Sequence, residues 1–226
     1  MDKLLSIVIP CKNESIGLVK TIDSIKSLGG NYTIIVADCS TDDTLDLLNK
    51  YHPEVIVTEG GLPSIARNRG AIICNTDYIL FLDADMDISK VCLNDIIIEM
   101  IAEKRLLATC SITVKNLFYK LPYLVFDVVQ RIISLRTPFA VGGFMLFDRK
   151  EFVRLGGFNE EDKFAEDYHL SMKVSPKRFK IFRYSALTSD RRFRNKSVWY
   201  MVKLMTRCWI NRHNDEFYKK DYNYWK

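Results

Sequence analysis

What the sequence lacks narrows it first. None of its six cysteines (Cys11, Cys39, Cys74, Cys92, Cys110 and Cys208) is spaced C-x-x-C, and several sit inside apolar runs. A zinc site or disulfide frame is therefore not expected, and these read as small core residues in a reducing compartment. The chain enters a strand pattern at once, with no signal-peptide pattern before it. No uncharged apolar run approaches the roughly 18 residues that a membrane-spanning helix needs. Internal repeats, low-complexity stretches and obvious linkers are absent too.

What is present is enough for a packed core. Hydrophobic residues make up 48% and aromatics 12% of 226 residues, which excludes a disordered chain and fits one large domain with at most a small appendage. The net charge is 33 − 28 = +5, unevenly spread. From Lys173 to Lys226 there are 15 Lys/Arg against 4 Asp/Glu, leaving 18 against 24 in the preceding part. A basic tail of this kind fits an anionic partner, such as phosphates, acidic lipid head groups or nucleic acid, or else a solvated basic face.

The first half alternates strand and helix patterns. Leu4 to Ile9 is a near-continuous apolar run ended by Pro10, the pattern of a strand buried on both faces. Ile16, Val19, Ile22, Ile25 and Leu28 recur at helical spacing, and Gly29-Gly30 stops that helix. Tyr32 to Ala37 reads as a second buried strand, and Ser40 to Asp43 offer N-caps to a helix running to about Lys50. A short strand at Val55–Val57, a helix at Ser64–Cys74 and a buried strand at Tyr78–Leu82 follow. This alternation predicts an α/β fold with a mostly parallel sheet, whose ligands bind beyond the carboxyl ends of the strands. The polar clusters 11–14, 38–42 and 83–85 all fall at those ends.

Beyond Met86 the pattern is mixed. Val91–Lys104 reads as a helix and Leu106–Val114 as a strand. Asn116–Leu135 is either an amphipathic helix covering the sheet or a helix on a membrane surface. Gly142 and Gly143 lead a strand to Phe147, where missing side chains let a ligand approach. Helices at Lys150–Leu155 and Phe164–Val174 follow.

Asp83 and Asp85 flank one residue just past a buried strand. Two carboxylates so close repel, so a cation or proton is needed. Hard oxygen ligands suit Mg²⁺ or Mn²⁺ bound partly through substrate phosphates, although acidic pairs also cap helices. Arg67 on the rim could fork onto a phosphate or form a surface ion pair. Glu166-Asp167 could cap a helix or supply a general base. Arg191 and Arg192 could close over a diphosphate or be a solvated loop.

In order, these segments resemble glycosyltransferase family 2. The stretches that carry the resemblance are Pro10-Cys11-Lys12-Asn13-Glu14, Asp38-Cys39-Ser40-Thr41-Asp42, Ala66-Arg67-Asn68-Arg69-Gly70 and Asp83-Ala84-Asp85. Downstream come Gly142-Gly143-Phe144, Gly156-Gly157-Phe158-Asn159-Glu160, Glu166-Asp167-Tyr168-His169-Leu170 and Ser189-Asp190-Arg191-Arg192-Phe193.

The resemblance implies a GT-A fold: a single Rossmann-like nucleotide-binding domain with an acceptor-side half. It implies an inverting transfer from a nucleotide diphosphate sugar to an acceptor hydroxyl. Pro10, Glu14, Asp38, Arg67 and Asp83 would line the nucleotide, Asp85 with Asp83 would bind Mn²⁺ or Mg²⁺, and Asp167 would be the base. Gly142, Gly143, Glu166, Arg191 and Arg192 would face the diphosphate or acceptor.

Ala37 and Cys39 depart from the family's Asp and Gly, next to the base-reading turn; a UDP-sugar is expected over a GDP-sugar. The Q-x-x-R-W motif of polymerising synthases is absent, so a single addition is expected. The acceptor would be a glycan, a lipid-linked molecule or a protein. A catalytic domain at 1–195 (nucleotide half 1–88, acceptor half 89–195) and a basic, aromatic, helical tail at 196–226 are expected. A cytoplasmic protein is expected, peripheral on an anionic membrane face, without nucleic acid. The competing readings are a haloacid-dehalogenase-like phosphatase, which also uses Asp-x-Asp after an apolar strand, and a degenerate, non-catalytic transferase domain.

Overall fold

The computed structural model describes residues 4–191 and 197–222. Its centre is a seven-stranded sheet in the order β3-β2-β1-β4-β6-β5-β7. The strands are β1 (Leu5–Cys11), β2 (Thr33–Asp38), β3 (Ile56–Glu59), β4 (Tyr78–Leu82), β5 (Leu107–Val114), β6 (Phe144–Asp148) and β7 (Phe179–Thr188). All pairings are parallel except those of β6, which runs antiparallel between β4 and β5. The mostly parallel sheet expected from the sequence is therefore present, with one reversed strand.

Both faces are buried, which is why the strands read as continuous apolar runs. In β1, Leu5, Ile7 and Ile9 point into one core and Val8 into the other; in β4, Leu80 and Leu82 oppose Ile79 and Phe81. The first core is roofed by α1 (Ser15–Lys26), through Leu18, Ile22 and Ile25, and by α4 (Leu93–Ala102). The second is closed by α3 (Pro63–Ile73), α6 (Arg149–Arg154) and α7 (Glu166–Ser171), with Phe81 at 5.0 Å from the rings of both Phe152 and Phe158. All six cysteines are free thiols, four of them buried, and burial raises Cys74 to about 11.

Several local expectations need correction. α2 (Thr44–Tyr51) has no side-chain cap; Asp42 instead accepts the amide of Thr44 at 3.1 Å. The helix expected over Phe164–Val174 is shortened to α7, whose N-cap Ala165 takes a left-handed φ of 52°. β7 has no counterpart in the sequence reading. The described part of the tail, α8 (Val198–Ile210) and α9 (Asp215–Tyr218), packs back onto α7, where Leu204, Cys208, Phe217 and Tyr218 meet Phe164 and Tyr168.

The topology brings one rim together. β1, β2, β4, β5 and β7 all end there, and reversed β6 begins there, with Leu82 opposite Phe144 and Val114 opposite Thr188.

α3 lies close on β1 at Gly70, where an added Cβ would sit 2.3 Å from Val8 Cγ1. Gly70→Ala should therefore destabilise, the overpacking cost of about 1–3 kcal/mol outweighing the roughly 1 kcal/mol of helix propensity gained. In denaturant titrations, combining it with Val8→Ala should cost less than the sum of the two single changes.

Candidate active site

The rim is assembled from loops that lock one another. Asn13, at a left-handed φ of 55° that Asn tolerates, donates its amide to Ser40 Oγ at 2.7 Å and accepts from the Thr41 amide at 2.8 Å. Asp38, nearly buried at the end of β2, accepts from the Ser40 amide at 3.0 Å and from its hydroxyl at 2.6 Å. Pro10 lies within β1 rather than ending it, paired with Ala37, and Cys11 closes the strand opposite Asp38. Glu14 donates its amide to Thr44 Oγ1 at 3.2 Å and is ion-paired with Arg191. Arg192 lies outside the described residues.

Asp83-Ala84-Asp85 leaves β4 with its middle residue inward. Ala84 is buried in the core, and its carbonyl accepts from Thr21 Oγ1 at 2.8 Å. Both flanking carboxylates keep partly exposed positions. Asp85 accepts hydrogen bonds from Ser189 and, at 3.5 Å, from Thr188. The segment just beyond is clamped to β7 by reciprocal backbone bonds between Asp87 and Leu187 of 2.8 and 2.9 Å. Thr188 was missed in the sequence because β7 was missed.

Arg67 is the largest correction. Rather than standing on the rim surface, it is 1% exposed. One terminal nitrogen donates to Asp83 at 2.9 Å and the other to Glu166, while Phe158 lies under the guanidinium with its centroid 5.5 Å away. Glu166 is likewise 3% exposed and faces Arg67 rather than a ligand. Gly142 makes room for this cluster and not for a ligand: a Cβ there would meet Arg67 at 2.7 Å and Asp167 at 3.2 Å. At Gly143 an added Cβ would press on Ile112 Cδ1 at 3.2 Å and lie in ordinary contact, 3.6 Å, with the Asp83 carboxylate.

Asp167 completes the group. Its carboxylate accepts from the Gly142 amide at 2.6 Å and the Tyr168 amide at 2.7 Å, and it keeps a partly exposed position. Burial raises its pKa, Arg67 and the two amides pull it back, and Asp83 pushes it up again. Glu166 is also pushed up, first by burial and then by Asp167, against the pull of Arg67. One guanidinium thus serves three carboxylates, so the cluster is short of positive charge.

Asp83 and Asp85 offer the hard oxygens that Mg²⁺ or Mn²⁺ takes. Among the described residues, no three His, Cys, Asp or Glu side chains converge as a closed metal cage. This donor set fits a cation that completes its shell with substrate phosphates and water. Two surface cavities, of about 400 and 310 Å³, lie elsewhere and are lined by none of these acids. Charge and convergence single out the rim, not cavity size.

The sequence model of glycosyl transferase family 2 matches residues 6–156, two thirds of the chain. The chain belongs to glycosyl transferase family 2. The match leaves the phosphatase reading without support. Curated relatives include a poly(ribitol-phosphate) beta-glucosyltransferase of Bacillus spizizenii, 38% identical over 36% of this chain and 14% of its own length. Another is polypeptide N-acetylgalactosaminyltransferase 8 of Drosophila melanogaster, 28% identical over 77% of this chain and 36% of its own. This chain therefore spans about a third or less of either relative.

Among solved structures, a mannosyltransferase of Pyrobaculum calidifontis, in complex with GDP-Man and Mn²⁺, aligns with a TM-score of 0.65 and 20% identity over 83% of this chain and 57% of its own. TarS of S. aureus, in complex with UDP-GlcNAc, aligns at 0.64 and 21% identity over 83% and 59%. The fold is the GT-A fold.

Removing the shared cation tests the cluster. Arg67→Ala should cost about 3–5 kcal/mol near pH 8, because it strands buried carboxylates. Without Arg67 their pKa values rise further above those of the unfolded chain. The folded variant then takes up protons as pH falls, so its deficit against wild type should shrink by pH 5 in urea titrations.

Proposed function

We propose that this family 2 chain carries out metal-dependent transfer of a single sugar, with inversion, from a nucleotide diphosphate sugar to an acceptor hydroxyl. The observation that carries the reading is the convergence of Asp167 with Asp83 through Arg67. A partly exposed carboxylate of raised pKa stands beside the acid that follows β4. A base is most effective when its pKa approaches the working pH, and burial moves Asp167 in that direction.

In this mechanism Asp167 takes the proton of the acceptor hydroxyl. The freed oxygen attacks the anomeric carbon from the side opposite the diphosphate, whose bond to that carbon breaks with its electron pair. The Gly142 and Tyr168 amides aim the Asp167 carboxylate, and Arg67 keeps it ionised. Pro10, Glu14 and Asp38 would line the nucleoside, and Arg191, paired with Glu14, would meet the diphosphate. A cation held by Asp83 and Asp85 would neutralise the charge on the leaving diphosphate.

UDP-sugars are the favoured donors, with GDP-sugars second; TarS was solved with the former kind and the mannosyltransferase with the latter. The six free thiols support a cytoplasmic location.

A thermal-shift screen of UDP- and GDP-sugars with and without Mn²⁺ should show one donor raising the melting temperature only with metal, and Asp85→Asn should remove that increment. Absence of any shift or turnover across the screen sinks the reading. Asp167→Asn should lower kcat by about 10²–10⁴-fold while the donor shift survives. If it transfers as fast as wild type, Asp167 is not the base.

The acid limb of kcat/KM should lie above the ordinary aspartate value of 3.8, since the raised pKa protonates the base earlier as pH falls.

A further inference from the structure

The helix α5 (Leu117–Ser134) is built inside out. Its polar side faces the protein: Gln130 is 1% exposed and donates to the Phe139 carbonyl at 2.7 Å. Asp127 accepts from Ser111 at 2.8 Å and from Arg131 at 2.9 Å, while Arg131 also reaches the Ile181 and Phe182 carbonyls of β7 at 3.2 Å. The apolar residues point away. Phe118, Leu121, Leu124, Val128, Ile132 and Leu135 recur at helical spacing and are all exposed, Phe118 at 89% and Leu135 at 78%.

The charges beside this stripe are of one sign. Residues 115–136 hold Lys115, Lys120, Arg131 and Arg136 against Asp127, or 4 − 1 = +3. Asp127 and Arg131 are spent on each other on the inner side, so the exposed charges are Lys115, Lys120 and Arg136, all cationic. Exposed Lys177 adds another near Leu135, where both line one cavity. No helix among the described residues is long and apolar enough to cross a membrane. An apolar stripe whose own exposed charges, over residues 115–136, are all cationic is a surface that lies in the head-group region of an anionic bilayer.

Both ends of α5 are tied to the rim. Asn116, its N-cap, donates to Asp190 at 3.0 Å, and the adjacent Ser189 is hydrogen-bonded to Asp85. From its other end the chain runs within seven residues of Leu135 to Gly142, whose amide binds Asp167.

We infer that α5 docks this protein on an anionic lipid surface and sets the acceptor side of the rim beside it, so that the acceptor is a membrane-borne, lipid-linked hydroxyl. The acceptor class rests on the transferase reading above; the docking does not.

Co-sedimentation with phosphatidylcholine vesicles, with and without phosphatidylserine, tests the docking in the absence of donor. Wild type should sediment with the anionic vesicles, less at high salt. Leu124→Glu/Val128→Glu should abolish sedimentation while melting temperature and donor shift stay at wild-type values. Lys120→Gln/Arg136→Gln should weaken it about thirtyfold, the effect of two surface cations. Wild type remaining in the supernatant at low salt, or the Glu variant sedimenting unchanged, overturns the inference. So does a wild-type dimer in gel filtration that the Glu variant converts to monomer without any vesicle binding, since the stripe is then a protein interface. The donor shift reads the nucleotide side alone, so its loss in every protein would strike the transferase reading and leave the docking result standing.

Discussion

The buried guanidinium of Arg67 is the contact on which the rest of the site depends. It joins three acids from two distant parts of the chain: Asp83 at the end of β4, and Glu166 and Asp167 at the start of α7. Burying an arginine is costly unless its charge is met, and three carboxylates more than meet it. Burial raises the pKa values of Glu166 and Asp167, and the excess negative charge adds to it. The same contact links the end of β4 to the start of α7, across the place where β6 reverses direction.

The reversed strand supplies the geometry. With every other strand ending at the rim, a β6 running the same way would carry its beginning, Gly142-Gly143, to the far edge. Running antiparallel, it starts opposite Leu82 and delivers the glycines beside Asp83. Gly142 is needed there because the room of a Cβ is taken by Arg67 and Asp167. The chain segment after β7 closes the other flank, with Thr188 and Ser189 on Asp85 and Arg191 on Glu14. The side chains of the rim thus brace one another, which leaves little freedom for one to move alone.

Much of this was legible from local pattern. A strand buried on both faces must be apolar throughout, so β1, β2 and β4 announced themselves, and the polar residues after each marked the rim. Asp83-Ala84-Asp85 was readable because Ala84 continues the strand's inward alternation and throws both acids outward. β7 was not readable. It is an edge strand whose Lys180, Arg183 and Tyr184 interrupt the apolar run, so neither the continuous nor the alternating pattern appears. With it went Thr188.

By itself the sequence determined the α/β class, the alternating strands and helices of the first half, the acidic pair and the placing of Glu166 and Asp167 at a helix start. Each is set by neighbours within a few residues. Only the tertiary structure decided that Arg67 is internal, since its partners lie 16 and 99 residues away and an arginine in isolation belongs at the surface. It alone decided which side of α5 faces out. Helical periodicity reports that a helix has two faces, but which face meets the protein depends on what that protein offers. Here β5 and β7 offer a hydroxyl and carbonyls, so the polar face turned inward and the apolar one was left outside.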